Sequence, residues 1–417
     1  MSNTGQFRRL DYLKITIFGF ALAALWSSLH SIILPLRLLD FVAESEKNTY
    51  LGLLTFTGLI LAIAVQPIAG AISDRSGFSW GRRRPYILLG TMTTILFLPG
   101  IGLCWSYATI FIIYCLLQVS GNTAQGPYQA FIPDLVPEGK RGLASGMKSL
   151  LEIVGGVALL YPIAIFMDNY FTGEGNLWLW LALTILGIIL LAVVVSTMLL
   201  VKEPPATGSP KLPLLSILYK PFKINIRANR NFIWFLVSRL LVFMAFTTIQ
   251  QFALNFLRDV IGVTSPATAT AQFSITAVIG MLVVVYPAGY LSDRLGRKPL
   301  AITAGLLGAL GFAIIFLSHS YGSIIFAAGI IGVALGAFTS TNWALATDLV
   351  PKGEEARYLG LTNLATAGGA ALARLIGPVI DFLNKYTPAL GYQVMLGACF
   401  TYMIAGSLLI IKIKKAR

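Results

Sequence analysis

The sequence predicts an all-α polytopic membrane protein, with twelve transmembrane helices in two pseudo-symmetric six-helix bundles. Three observations lead there. The 417 residues are 56% hydrophobic and 12% charged, where a soluble chain carries about 25% charged residues. The apolar residues are spread over many runs of about 20, the length that a helix needs to cross a bilayer. The Lys and Arg collect on alternate connections, as they do when those connections face the cytoplasm. In lipid the backbone must satisfy its own hydrogen bonds, which favours helices, and the alternation of a β-barrel is absent.

The spans are read as apolar runs delimited by charged or Pro/Gly-rich stretches. The first, 14–39, is longer than a signal-peptide core and is read as a retained span. The second, 50–73, runs into the charged stretch "GAISDRSGFSWGRRRP" at 70–85, after which 86–106 and 108–132 follow. "PDLVPEGKRG" at 133–142 separates the fourth from the fifth, 142–167, and 177–201 closes the first half. The longest link, 202–230, is rich in Pro, Lys and Arg and suits a cytoplasmic connector. The second half holds 232–257, 267–291, 300–318, 321–347, 357–381 and 391–412. The domain expectation is one bundle over 1–201, a linker over 202–230 and a second bundle over 231–417.

With the N-terminus placed in the cytoplasm, 25 of the 31 Lys and Arg fall in the tail, the even-numbered loops and the C-terminus. The outer loops hold three, Lys47, Arg258 and Lys385, while Arg37, Arg239 and Arg374 lie within spans. A bias of this size argues for a cell membrane with both termini cytoplasmic. It also accounts for the net charge of +14 as an inner-leaflet face, so the bilayer is expected as a partner and nucleic acid is not. Cys104, Cys115 and Cys399 show no metal spacing and read as small buried hydrophobes. No cofactor or metal is expected.

The chain repeats itself. Asp74-Arg75 recurs as Asp293-Arg294 in "GYLSDRLGRKP" at 289–299, and "PDLVPEGKRG" recurs as "TDLVPKGEEARYLG" at 347–360. The offsets are 219 and 214, and the first copy carries four extra residues before its Gly-Arg run. The halves are therefore parallel repeats, with substrate expected near the midplane between them.

These residues resemble the major facilitator superfamily, whose hallmark is Gly-x-x-x-Asp-Arg-x-Gly-Arg-basic between spans two and three. The resemblance implies the major facilitator fold and alternating access. Asp74, Arg75, Arg82, Arg83, Asp134 and Arg141, with Asp293, Arg294, Arg297, Asp348 and Arg357, are the expected gating charges. Each Asp can meet a nearby Arg or a helix N-terminus, and the competing reading is that they only anchor the topology. Within the first half, "VQPIAGAISDRSGFSWGRRRPYI" at 65–87, "QGPYQAFIPDL" at 125–135 and the Trp26 to Pro35 spacing look like the sucrose transporters of plants and their animal and bacterial relatives. This likeness covers roughly residues 20–147 and implies sugar transport. One departure stands out: where that group carries an acid and an arginine in span four, this chain has Gln118 and Gln129. Neither amide titrates, so proton coupling does not transfer through these positions.

Span four carries Gln118, Asn122, Gln125 and Gln129 on one helical face. Span seven has Gln250, Gln251 and Asn255, span one Trp26 and His30, and span ten Asn342 and Trp343. Amides and indole rings suit a neutral polyhydroxyl ligand, so these eleven residues are the expected substrate contacts. Interhelical hydrogen bonding uses the same residue types and is the competing reading. Charge in the bilayer is costly, which marks Glu152, His30, Arg239 and Arg374 as candidates for H+ or Na+ coupling, against structural pairing or snorkelling. Glu152 reads as the only acid deep in a span.

The expected function is a secondary active transporter for a small polar solute, most simply a sugar, acting as a monomer. No GxxxxGK[ST], HExxH or Ser-His-Asp setting appears, so no enzymatic role is expected. The alternatives are a non-transporting membrane sensor or assembly factor, and an exporter of drugs or other amphiphiles with the same fold.

Overall fold

The computed structural model describes residues 9–203, 229–318, 320–350 and 355–414, with the side chains of 355–357 excluded. Most of the 202–230 link and His319 lie outside the described residues, as does the Arg357 side chain. Among the described residues, twelve helices are long and apolar enough to cross a membrane. They are α1 Arg9–Leu38, α2 Glu44–Asp74, α3 Arg84–Leu103, α4 Tyr107–Leu135, α5 Glu138–Phe171 and α6 Leu177–Leu200, then α7 Arg230–Ile261, α8 Pro266–Leu295, α9 Arg297–Leu317, α10 Tyr321–Leu349, α11 Tyr358–Asn384 and α12 Leu390–Ile411. All twelve predicted spans are present. Several reach further than the hydropathy pattern implies, because polar residues that pair with one another can continue a helix past the apolar run. α2 takes in Lys47 and α7 takes in Arg258, both predicted in loops. Lys148, within the predicted fifth span, lies inside α5.

The chain forms two compact units. Among the described residues, 9–33 and 57–203 belong to the first, and 34–56 and 229–414 to the second. In the first unit α1 packs on α5 and α6, and α3 packs on α4. In the second, α7 packs on α11 and α12, and α9 on α10. The same pairing in both matches the internal repeat of the sequence.

Small residues let these helices approach closely. A side chain at Gly332 of α10 would place its Cβ 1.9 Å from the Ala277 carbonyl oxygen of α8. The ladder of α1 opens into a π-helical turn over Leu29–Ile33, just before Pro35. Proline has no N–H to return to the turn below, and such bulges re-aim side chains at functional positions. His30 sits in this turn.

Candidate functional site

The repeated charge motif builds an ion cluster in each unit. In the first, Arg83 is only 4% exposed. Its Nε donates to Asp134 at 3.0 Å, Nη1 donates to the Ser73 hydroxyl at 2.7 Å, and Nη2 meets Asp74. Arg82 holds the other Asp134 oxygen at 2.7 Å. The motif alone does not reveal Glu203, which accepts the backbone N–H of Arg83 at 2.9 Å and of Arg84 at 3.2 Å. It caps the start of α3, where backbone N–H groups lack helical partners and favour negative charge. Gly81 permits this: its φ is +123°, and a Cβ there would lie 2.3 Å from the Glu203 carboxylate. In the second unit Arg297 meets Asp348 at 2.5 Å and Asp293 at 4.0 Å. Arg297 thus meets both acids of its repeat, as Arg83 meets Asp74 and Asp134 in the first. The remaining gating candidates are less involved. Arg141 donates to the carbonyls of Val136 and Pro133, Arg294 lies over the Tyr290 ring at 4.6 Å, and Arg75 is exposed.

A chain of polar groups runs through the first unit. Gln129 donates to Gln66 at 3.3 Å, Gln66 to Asn122 at 2.6 Å, and Asn122 to the Gln118 side-chain oxygen at 2.9 Å. With that oxygen engaged, the Gln118 amide donates to the Tyr114 hydroxyl at 2.8 Å and approaches His30 Nε2 at 3.3 Å. Tyr114 lies 2.8 Å from the same nitrogen. Trp26 stacks on the His30 ring at 5.5 Å. The span-four stripe therefore divides. Gln118 and Asn122 are buried in this network, which is the interhelical role; Gln125 is half-buried and bonds to nothing among the described residues, and Gln129 is exposed. Tyr114 and Gln66 escape a reading of the sequence, because a tyrosine and a glutamine in apolar runs carry no periodic signal.

Glu152 is half-buried in α5, 3.5 Å from Lys148 one turn earlier. Lys148 also lies over the Tyr128 ring at 5.5 Å. Glu152 is not the only acid held within a helix: Asp168 and Asp381 are 6% and 4% exposed.

In the second unit, Arg239 of α7 donates from Nε to Thr366 of α11 at 2.8 Å and from Nη1 to Asn342 of α10 at 2.5 Å. Its guanidinium carbon lies 4.9 Å from the Phe243 ring and 5.8 Å from that of Trp343. Gln251 is buried with its amide nitrogen unbonded among the described residues, whereas Gln250 is exposed. Arg374 donates to the Ala370 carbonyl. Asn255 belongs to a separate network centred on Asn48, to which its amide donates at 2.9 Å. Asn48 in turn donates to Asp381 at 2.8 Å and to the Tyr392 hydroxyl at 3.1 Å, and Tyr392 donates to Asp259 at 2.5 Å. A polar cavity of about 290 Å³ opens here, lined by Glu44, Lys47, Asn48, Asp259, Asp381 and Tyr392 among others. No group of three His, Cys, Asp or Glu among the described residues is disposed to hold a metal ion.

A model of the Major Facilitator Superfamily matches residues 10–374 and 265–415. The sucrose transport protein SUT1 of Oryza sativa subsp. japonica is 28% identical over 199 residues, covering 38% of this chain and 35% of that protein. The minor myo-inositol transporter IolF of Bacillus subtilis is 29% identical over 108 residues, covering 26% of this chain and 24% of that protein. The matches thus span about a third or less of these relatives. Among solved structures, a mutant of the nucleoside transporter NupG superposes with a TM-score of 0.76 at 13% identity, over 97% of this chain and 100% of that one. A D-xylose–proton symporter gives 0.71 at 15% identity, over 98% and 99%. At such identities the superpositions establish the fold.

Proposed function

Because the chain belongs to the Major Facilitator Superfamily, we propose that it is a secondary carrier moving a small, sugar-like solute across the cell membrane by alternating access. The observation that carries this reading is in the first unit: Trp26 stacks on His30, and Gln125 on the polar face of α4 is half-buried and bonds to nothing among the described residues. Flat rings with donors and acceptors beside them are what hydroxyl-bearing solutes need. The likeness to sucrose and myo-inositol transporters points the same way. In this reading the protein works as a monomer, both termini are cytoplasmic, and the two ion clusters are the gating elements.

The test is uptake of labelled mono- and disaccharides and of inositol into proteoliposomes, with a thermal-shift panel on purified protein. Accumulation of at least one sugar or polyol is expected, with Trp26→Leu reducing it about tenfold or more, the scale of a lost aromatic contact in a binding site. Stabilisation by amphiphiles alone points to an exporter, and the absence of any ligand points to a non-transporting protein.

For coupling, Glu152 is the proposed proton site, because protonation would release it from Lys148. Glu152→Gln is expected to abolish accumulation driven by a pH gradient while solute exchange continues. Gradient-driven uptake at the wild-type rate in that variant rules out the assignment.

A further inference from the structure

The span arginines are answered in different ways. Arg37 meets Asp40 at 2.5 Å, and Arg258 meets Glu44 at 2.5 Å. Arg239 is 5% exposed, and its polar partners among the described residues are neutral: the Thr366 hydroxyl and the Asn342 side-chain oxygen. The rings of Phe243 and Trp343 lie close enough for cation–π attraction, which stabilises the cation without neutralising it. A buried guanidinium is expensive in a membrane and marks function.

The unused hydrogens say what is missing. With Nε and one Nη1 hydrogen engaged, the guanidinium keeps one hydrogen on Nη1 and two on Nη2. That edge of the fork matches the two oxygens of a carboxylate. Asn342 is fully buried, and its oxygen is taken by Arg239. Its Nδ2 is therefore a donor, and it is buried without a partner among the described residues. Thr366 spends its own hydrogen on the Thr362 carbonyl at 3.3 Å. The hydrogens that the cluster leaves unused are donors beside a positive charge. Trp343 beside it is 42% exposed, and its ring adjoins the charge.

We propose that Arg239 and Asn342 receive a carboxylate carried by the solute, and that the solute is a sugar acid, a uronate or aldonate. Trp343 supplies the flat face for its carbon skeleton. This names the solute class for the carrier reading above and rests on it, although binding can be measured without transport.

The experiment compares D-glucuronate, D-glucuronamide and D-glucose on the purified full chain by calorimetry and thermal shift, with uptake of labelled glucuronate and glucose in proteoliposomes. Glucuronate is expected to bind, and the amide and the neutral sugar to bind about tenfold or more weakly, the scale of one lost charge-assisted hydrogen bond. Arg239→Gln is expected to erase that preference and Arg239→Lys to keep part of it. If Arg239→Gln does not fold, the wild-type ratio of acid to amide still decides. Equal binding of the three ligands, no binding by any, or an unchanged acid preference in Arg239→Gln overturns the inference. Uptake of glucose without acid preference overturns it and leaves the carrier reading standing. Binding of glucuronate without uptake of any solute upholds the anion site and removes the carrier reading.

Discussion

Asp134→Ala is expected to abolish uptake and to lower the stability of the first unit by roughly 2–4 kcal/mol. Asp134 is the acceptor for both Arg82 and Arg83, at 2.7 and 3.0 Å. Breaking a buried pair costs about 3–5 kcal/mol, because the surviving charge stays desolvated. The Arg83 side chain is 5% exposed and fits that case, but Asp74 remains as a second partner, which places the expected loss lower. The matching substitution in the other repeat, Asp348→Ala, removes a pair whose side chains are 26% and 37% exposed. Pairs that open to solvent contribute about 0–1 kcal/mol. The asymmetry is the test. Thermal melting of the two variants in detergent is expected to show a clear drop for the first and a small one for the second, with transport assayed in parallel. Equal drops would mean that burial of the arginine does not set the cost.

The second large effect is expected at Asn48. It is fully buried, donates to Asp381 and Tyr392, and accepts from Asn255 at 2.9 Å. Asn48→Ala removes all three contacts at once. It leaves a buried carboxylate short of a donor and a buried amide without an acceptor, worth about 1–3 kcal/mol each. The expected loss is roughly 2–4 kcal/mol in the second unit, since the Thr49 N–H still donates to Asp381 at 2.6 Å. Asn48→Asp is expected to be worse, because it sets one carboxylate against another in a place with little water. Asp381→Asn is expected to be milder: it keeps the shape and one acceptor oxygen. Melting temperatures in the order wild type, Asp381→Asn, Asn48→Ala, Asn48→Asp check this, and a fully stable Asn48→Asp would refute the network as drawn.

The span-four amides show where reading the sequence succeeds and where it stops. Their 4, 3, 4 spacing places them on one face, and Gln118 and Asn122 do lie on one face. Spacing says nothing about what that face meets. Two of the four are spent on neighbouring groups, through Tyr114 and Gln66, and two are not buried. Arg239 is legible as an anomaly, a charge inside an apolar run, but the neutrality of its partners is not. Glu203 is hidden because a lone acid at the edge of a basic link has no motif, although it completes the cluster that the motif announces.

The number of spans, the two repeats, the family and the positions of the recurring Asp and Arg follow from the chain alone. Each depends on a property that runs along the sequence: length of apolar run, period of a helix, or recurrence of a motif. Which buried polar group answers which was decided only in three dimensions. Asn48 and Asp381 are 333 positions apart, and Arg239 and Thr366 are 127 apart. A hydrogen bond requires about 3 Å between two atoms, and no linear pattern encodes that distance until the helices have packed.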